Sequence, residues 1–386
     1  SPPLLPKATF PRLGKEMEER YRMIHYLRYC CAMLFALFSF LLATPLSAQA
    51  QNREAYVSQS EDKTTLTFYY DALRATRTGT TWGIGETKKE GDILVPAWAG
   101  TSQEEDTTTA RVAFDASFRD FRPTTTAKWF YRCEALKQIE GLEYLNTSEV
   151  KDMCRMFYGC SALTALDLKN FNTKNVTDMS SMFAKCWALT SLDLKNFNTQ
   201  NVTDMSSMFD SCLALTSLDL QHFNTQNVTD MSWMFYNCTA LTSLELQHFN
   251  TKKVTDMSSM FYNCTALTSL DLQHFNTKKV TDMYEMFSGC AALTTINSNT
   301  AWQCPESENM FAGCTKLKGA VAYDKNKVDA KMANPETGYF TAKPTTAKRN
   351  RRSAAHLPAA SKRVCGARKQ LSDGVQAVNG KKTVKQ

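Results

Sequence analysis

Six cysteines, Cys160, Cys186, Cys212, Cys238, Cys264 and Cys290, stand 26 residues apart, and the residues around them repeat with them. Five complete units fill residues 150–279, each close to VTDMSSMFxxCxALTSLDLxxFNTxx. A unit of this length cannot bury an apolar face by itself, so the chain is restricted to architectures in which successive units stack on one another. Degenerate units flank the array. WFYRCEALKQIEGLEYLNTSE, from Trp129 to Glu149, keeps Phe130, Cys133 and Leu136 with one extra residue, and the segments around Cys290 and Cys314 follow an altered spacing. Atypical end units suit a solenoid, whose last coils have a neighbour on one side only.

Within a unit the apolar period changes. Leu192 and Leu194 alternate with Ser191, Asp193 and Lys195, the period of a half-buried strand. Val202, Met205, Met208, Phe209 and Cys212 recur at steps of three and four, the face of a short helix or 3-10 turn, with Thr203 or Asn201 placed to cap it. The expected fold is an α/β repeat: a leucine-rich-repeat-like solenoid of short parallel strands and short helical turns, capped at both ends. Its strands would stack about 4.8 Å apart.

The flanks divide the chain further. Residues 30–43, CCAMLFALFSFLLA, are shorter than a bilayer span, follow Arg22 and Arg28, and precede Ala48-Gln49-Ala50, the order of a signal peptide cut after Ala50. Met23 is a natural start for such a leader, which sets residues 1–22 apart as a segment outside the translated protein, makes 23–50 the signal peptide, and leaves no transmembrane span in the mature chain. Residues 51–128 read as an N-terminal β-rich cap from the alternation in TLTFYY and ARVAFDASF, residues 129–299 as the solenoid, and 300–342 as a C-terminal cap. The last stretch, 343–386, has twelve basic residues against Asp373 and no periodicity, and is expected to be a disordered tail. Of the formal +7, the tail holds +11 and residues 1–28 hold +3, so residues 29–342 carry −7. An acidic body argues against nucleic acid as a partner.

The unit VTDMSSMFxxCxALTSLDLxxFNT closely resembles the repeat of BspA-like surface proteins of Bacteroidales, also found as arrays in mycoplasma lipoproteins. The likeness runs from Thr64 to Thr341, taking in TLTFYYDALRATRTGTTW as a leading cap and GCTKLKGAVAYDKNKVDAKMANPETGYFTA as a closing segment. The resemblance implies a secreted or surface-displayed bacterial protein engaged in adhesion to host proteins or to other cells. It implies no catalytic residue and no cofactor.

Stacking turns each position of the unit into a column. The outward acidic column contains Asp193, Asp219, Glu245 and Asp271, and reads chiefly as a solvated face, with calcium as the alternative. His222, His248 and His274 form a second column that an exposed corner explains better than a metal site. The repeated Cys reads as a small buried filler, with free thiols favoured over a disulfide ladder, because parallel side chains seldom meet the dihedral a disulfide needs. Recognition is expected where copies differ, at the two residues before each Cys and the one after it. Tyr158, Trp187, Tyr236 and Tyr262 stand there, and such aromatics anchor protein interfaces. Phosphate-loop, H-E-x-x-H and G-x-S-x-G patterns are absent from the sequence. The leading function is non-catalytic adhesion or protein–protein interaction with extracellular proteins or glycans of a host or of other bacteria. The alternative is a structural envelope or spacer repeat without a specific ligand.

Overall fold

The computed structural model describes residues 52–343 together with residues 23 and 24. Those two residues apart, the leading segment, the expected signal peptide and the tail after Lys343 lie outside the described residues.

The chain enters through a small sheet. β1 (Glu54–Gln59) and β2 (Thr65–Asp71) form an antiparallel hairpin, and β3 (Thr80–Gly83) pairs with β1 on the other edge. β4 (Thr87–Glu90) and β5 (Ile93–Pro96) make a separate hairpin. β6 (Arg111–Phe114) then joins β2 in parallel and is followed by β7 (Gln138–Glu140), so the sheet changes from antiparallel pairing to the parallel pairing a stacked array requires. Its inward residues Val57, Leu66, Phe68, Val112 and Phe114 are buried and continuous with the core of the coils.

In the coils themselves the repeat architecture stands, but its local structure differs from the expectation. Residues 52–343 contain no α-helix. Val202, Met205, Met208, Phe209 and Cys212 point inward from a ribbon of overlapping β-turns. In the preceding coil, where the bonds are the same, Met182 N donates to Met179 O, Ala184 N to Ser181 O and Cys186 N to Phe183 O, each at 3.1–3.2 Å. The intervening amides point along the array: Met179, Ser181, Phe183 and Lys185 donate to Asp204, Ser206, Met208 and Asp210 of the next coil at 2.7–3.1 Å. A helix would direct all of these N–H groups along its own axis and leave none for the neighbouring coil, whereas the ribbon satisfies both sets. It requires left-handed residues at the third position of the first and last turns, as in type II turns. Ser181 (φ 56°) and Lys185 (φ 58°) fill them here, and their equivalents do so along the array.

The Leu segments also depart from the expectation. After β7, regular strand pairing there is confined to β8 (Ser269–Asp271), β9 (Thr295–Asn297) and β10 (Phe340–Thr341), which lie parallel in the order β10-β9-β8. The coils are more widely spaced on this side. Phe171 and Phe197, at the corner following the Leu segment, have ring centroids 6.4 Å apart, against 5.4–5.9 Å for the Phe column before each Cys. Parallel bridges instead run through Asp152, Asp178, Asp204, Asp230, Asp256 and Asp282.

Three buried columns tie the coils together. Phe130, Phe157, Phe183, Phe209, Phe235, Phe261, Phe287 and Phe311 form one offset stack. It ends on edge-on rings, Phe68 and Phe114 against Phe130, and Tyr339 and Phe340 against Phe311, which close a stack that further coils would otherwise extend. Each repeated Cys, buried behind this column, donates its thiol to a Phe carbonyl of a preceding coil, as from Cys212 Sγ to Phe183 O at 3.3 Å. That oxygen already accepts Cys186 N, so the thiol occupies its second lone pair. All ten cysteines among the described residues are unpaired, and burial pushes the Cys186 and Cys264 thiols up to about 12, which keeps them protonated donors. At the corner, buried Thr199 Oγ1 accepts from Asn224 N at 2.7 Å and donates to Asn224 O at 3.1 Å, a pairing repeated from Thr147 to Thr251. Thr203 and Asn201 cap no helix: both side chains donate to carbonyls of the preceding coil, and Asp204 Oδ1 instead accepts Ser206 N and Oγ in an Asx turn.

Because these bonds are identical from coil to coil, excision of residues 202–227 should leave a cooperatively unfolding protein with an unchanged far-ultraviolet spectrum. Excision of residues 202–214 places the Leu segment under the turn ribbon and should abolish the thermal transition. Gly289 (φ 76°) occupies a left-handed position, and a Cβ there would lie 3.3 Å from Asn263 Cα. Gly289→Ala is expected to cost about 1–2 kcal/mol, while Gly85→Ala, in open space, should change stability by less than about 0.5 kcal/mol in denaturant titration.

Candidate binding edge

The turn ribbon determines which side chains are free to vary. Its inward positions are committed to Met, Phe and Cys, and its two left-handed positions form columns along the array. The column just before Cys holds Arg132, Gly159, Lys185, Ser211, Asn237, Asn263, Gly289 and Gly313, all at positive φ. Variation there is therefore not free, as the sequence suggested, but tilted toward Gly and Asn, which enter this region at little cost. Arg132 and Lys185 depart from that preference at about 1–2 kcal/mol each. The other left-handed column is more varied, with Lys128, Arg155, Ser181, Ser207, Trp233, Ser259, Glu285 and Asn309, and the bulky Trp233 (φ 61°) stands between coils that have Ser207 and Ser259.

Arg132 with Lys185, and Trp233, each sit in a cluster of exposed side chains. Where the cap meets the array, Glu105, Arg132, Glu134, Tyr158, Gly159, Ser161, Lys185 and Trp187 line a pocket of about 230 Å³. The cap loop is fixed there as though it were another coil: Gly100 N donates to Tyr131 O, Asp106 N to Arg132 O, and Glu134 N to Asp106 O. Arg132 Nη1 is paired with Glu105 and lies 3.5 Å from Glu134 Oε1. Burial and the adjacent Glu105 carboxylate raise the Glu134 carboxyl. Tyr131 and Tyr158 stack at 5.1 Å, Lys185 Nζ sits 5.2 Å from the Tyr158 ring centre, and Trp187 is 48% exposed.

Two coils further on, Trp233 stacks on Tyr236 at 4.5 Å and Tyr236 on Tyr262 at 4.7 Å. Trp233 and nearby Tyr284 are 42% and 41% exposed. Burial, followed by Tyr262, Asp210 and Glu285, raises the Tyr236 hydroxyl. Of the aromatic residues named from sequence, Tyr158 and Trp187 thus share a pocket, Tyr236 and Tyr262 share a stack, and the tyrosines are half-buried. Glu105, Arg132, Glu134, Lys185 and Trp233 were not among the candidates named from sequence, although Arg132, Glu134 and Lys185 flank a Cys, the position already marked as variable.

The acidic residues named with them lie elsewhere. Asp193, Asp219 and Glu245 are exposed on the Leu segments, and Asp193 lies 3.8 Å from Lys195. Asp271 is held by Lys343 Nζ at 2.6 Å; burial alone would raise its carboxyl, but bonds from Lys343 and Gln273 keep it below its ordinary value. His222, His248 and His274 are exposed. Among the described residues, Asp152, Cys154 and Asp178 bring ligand-type atoms within 4.8 Å of one another. They belong to the Asx-turn column, with Cys154 N donating to Asp152 Oδ1 at 2.8 Å, and burial, then the neighbouring carboxylate, raises Asp152. The column's own turn bonds account for this cluster.

No helix among the described residues is long and apolar enough to cross a membrane. No curated protein matches the sequence. Among solved structures, the chain is similar to a leucine-rich repeat protein of T. pallidum at 17% identity, covering 56% of this chain and 89% of that one with a TM-score of 0.30. It is similar to a leucine-rich repeat protein from Bacteroides ovatus ATCC 8483 at 16% identity, covering 70% and 82% with a TM-score of 0.30. A leucine rich cell surface protein from Faecalibacterium prausnitzii A2-165 is similar at 15% identity, covering 72% and 96% with a TM-score of 0.23. The sequence itself matches a family described as "Mycoplasma protein of unknown function, DUF285" over residues 124–218 and 214–325. The likeness to mycoplasma repeat arrays read from the 26-residue unit is thereby borne out. The two matched segments meet within the array and together span more than half of the chain, which belongs to the DUF285 family.

Proposed function

We propose that this chain is a secreted or surface-displayed, non-catalytic repeat protein that mediates adhesion, with the edge flanking the repeated Cys as its contact surface. One observation carries the reading: the two left-handed columns place Arg132, Lys185 and Trp233 at positive φ on the outer edge, and each of these lies in a cluster of partly exposed aromatic rings. Strained residues retained at a surface mark a functional demand, because stability alone favours their replacement. Tyr and Trp with Arg are the side chains that dominate binding energy at interfaces. The stacked rings hold one another in place, so little side-chain entropy is lost on contact.

The expected partner is an extracellular protein or glycan of a host or of another bacterium. A spacer without a ligand is the competing reading, and the two differ in what the edge does. The full chain should attach saturably to at least one partner in a panel of matrix proteins and whole cells. Attachment should fall about tenfold or more in Tyr158→Ala/Trp187→Ala or in Trp233→Ala/Tyr262→Ala, with cooperative thermal unfolding retained. Attachment that neither variant weakens, or no saturable attachment from folded protein, would favour the spacer.

A further inference from the structure

The pocket between cap and array has a chemistry of its own. At about 230 Å³ it is smaller than the ~300–1,000 Å³ occupied by drug-sized ligands, so it takes one small group or ring. Its charges balance: the Glu105 and Glu134 carboxylates face the Arg132 and Lys185 cations. Arg132 is already engaged by both carboxylates, and the Lys185 ammonium lies over the Tyr158 ring. Along one wall stands Trp187, nearly half exposed, in a column where neighbouring coils have Ser161 and Leu213.

These features discriminate between ligand classes. A phosphate or sulfate would meet two carboxylates. An apolar side chain would desolvate four charged groups without bonding any of them, which is costly. A pyranose ring suits both needs: its hydroxyls accept from an ammonium and donate to a carboxylate at once, and its C–H face lies flat on an indole. We propose that this pocket binds one ring of a neutral glycan, stacked on Trp187, with its hydroxyls shared between Glu105, Glu134 and Lys185. The left-handed Arg132 and Lys185 are then explained, because Gly or Asn at these positions would supply neither the positioned carboxylates nor the donor.

The assignment rests on the binding reading above, and the two can fail separately. Saturation-transfer NMR of the full chain with methyl glycosides of glucose, galactose, mannose, fucose and N-acetylglucosamine, and with triglycine as a peptide probe, tests it. Expected is transfer to the ring protons of at least one sugar, reduced at least tenfold by Trp187→Ala and severalfold by Glu134→Gln, and unchanged by His222→Ala, at an exposed corner outside the edge. Transfer to no sugar, transfer to triglycine alone, or sugar transfer that survives Trp187→Ala would overturn the assignment. Loss of cell attachment in Tyr158→Ala/Trp187→Ala without transfer to any sugar would overturn the glycan assignment and leave the adhesive edge. Sugar transfer lost in Trp187→Ala, from a protein that attaches to no cell or matrix, would leave the pocket assignment and overturn adhesion.

Discussion

Each coil is held to the next by backbone amides that left-handed residues turn out of their own coil. In a run such as Met179 to Cys186, alternate N–H groups close turns within the coil and the others reach carbonyls of the next one. The arrangement satisfies the backbone in two directions with no helix and little regular strand, and it fixes where every side chain goes. Met, Phe and Cys face inward, the Phe rings stack at 5.4–5.9 Å, and the thiols complete the bonding of the Phe carbonyls. The cost is two left-handed residues per coil, which non-Gly side chains enter unfavourably.

That cost makes the array informative. Just before Cys, most coils meet it with Gly, Asn or Ser, as at Gly159, Ser211, Asn237, Asn263, Gly289 and Gly313. The column before Cys departs from this at Arg132 and Lys185, and the other left-handed column carries Lys128, Arg155, Trp233 and Glu285. Arg132 and Lys185 bracket the pocket at the cap, and Trp233 begins the aromatic stack. A spacer would gain from Gly or Asn at all three, and these three stand where the edge is best suited to meet a partner. The cap contributes directly, since its loop is bonded to the first degenerate coil and brings Glu105 beside Arg132.

Coil length, core residues and the location of the variable edge were legible in the sequence, because burial imposes them on every copy at once. The local backbone was not. Apolar residues at steps of three and four fit a helical face, yet overlapping β-turns bring Val202, Met205, Met208 and Cys212 inward at the same spacing. The discriminating signal was the recurrence of Gly and Asn just before Cys, at Gly159, Asn237, Asn263 and Gly289, which no helix interior favours. The Leu segments alternate as strands do, but pairing depends on the distance between coils, which no single unit encodes. The pocket was half visible: Tyr158 and Trp187 were readable from their columns, whereas Glu105 lies in a cap with no repeat to align it. The Asp of VTDM drew no reading beside Thr203 and Asn201, and its role in an Asx turn follows from the turn ribbon that replaces the helix.

Residue-resolved hydrogen exchange tests the turn ribbon most directly. If alternate amides bind the next coil, Ser207, Phe209 and Ser211 should exchange as slowly as Met208 and Cys212, which close turns within the coil. Leu218, Asp219 and Leu220, outside the paired strands, should exchange faster. Slow exchange across Leu218–Leu220 together with fast exchange at Ser207 and Ser211 would restore a strand ladder on the Leu side and contradict the ribbon.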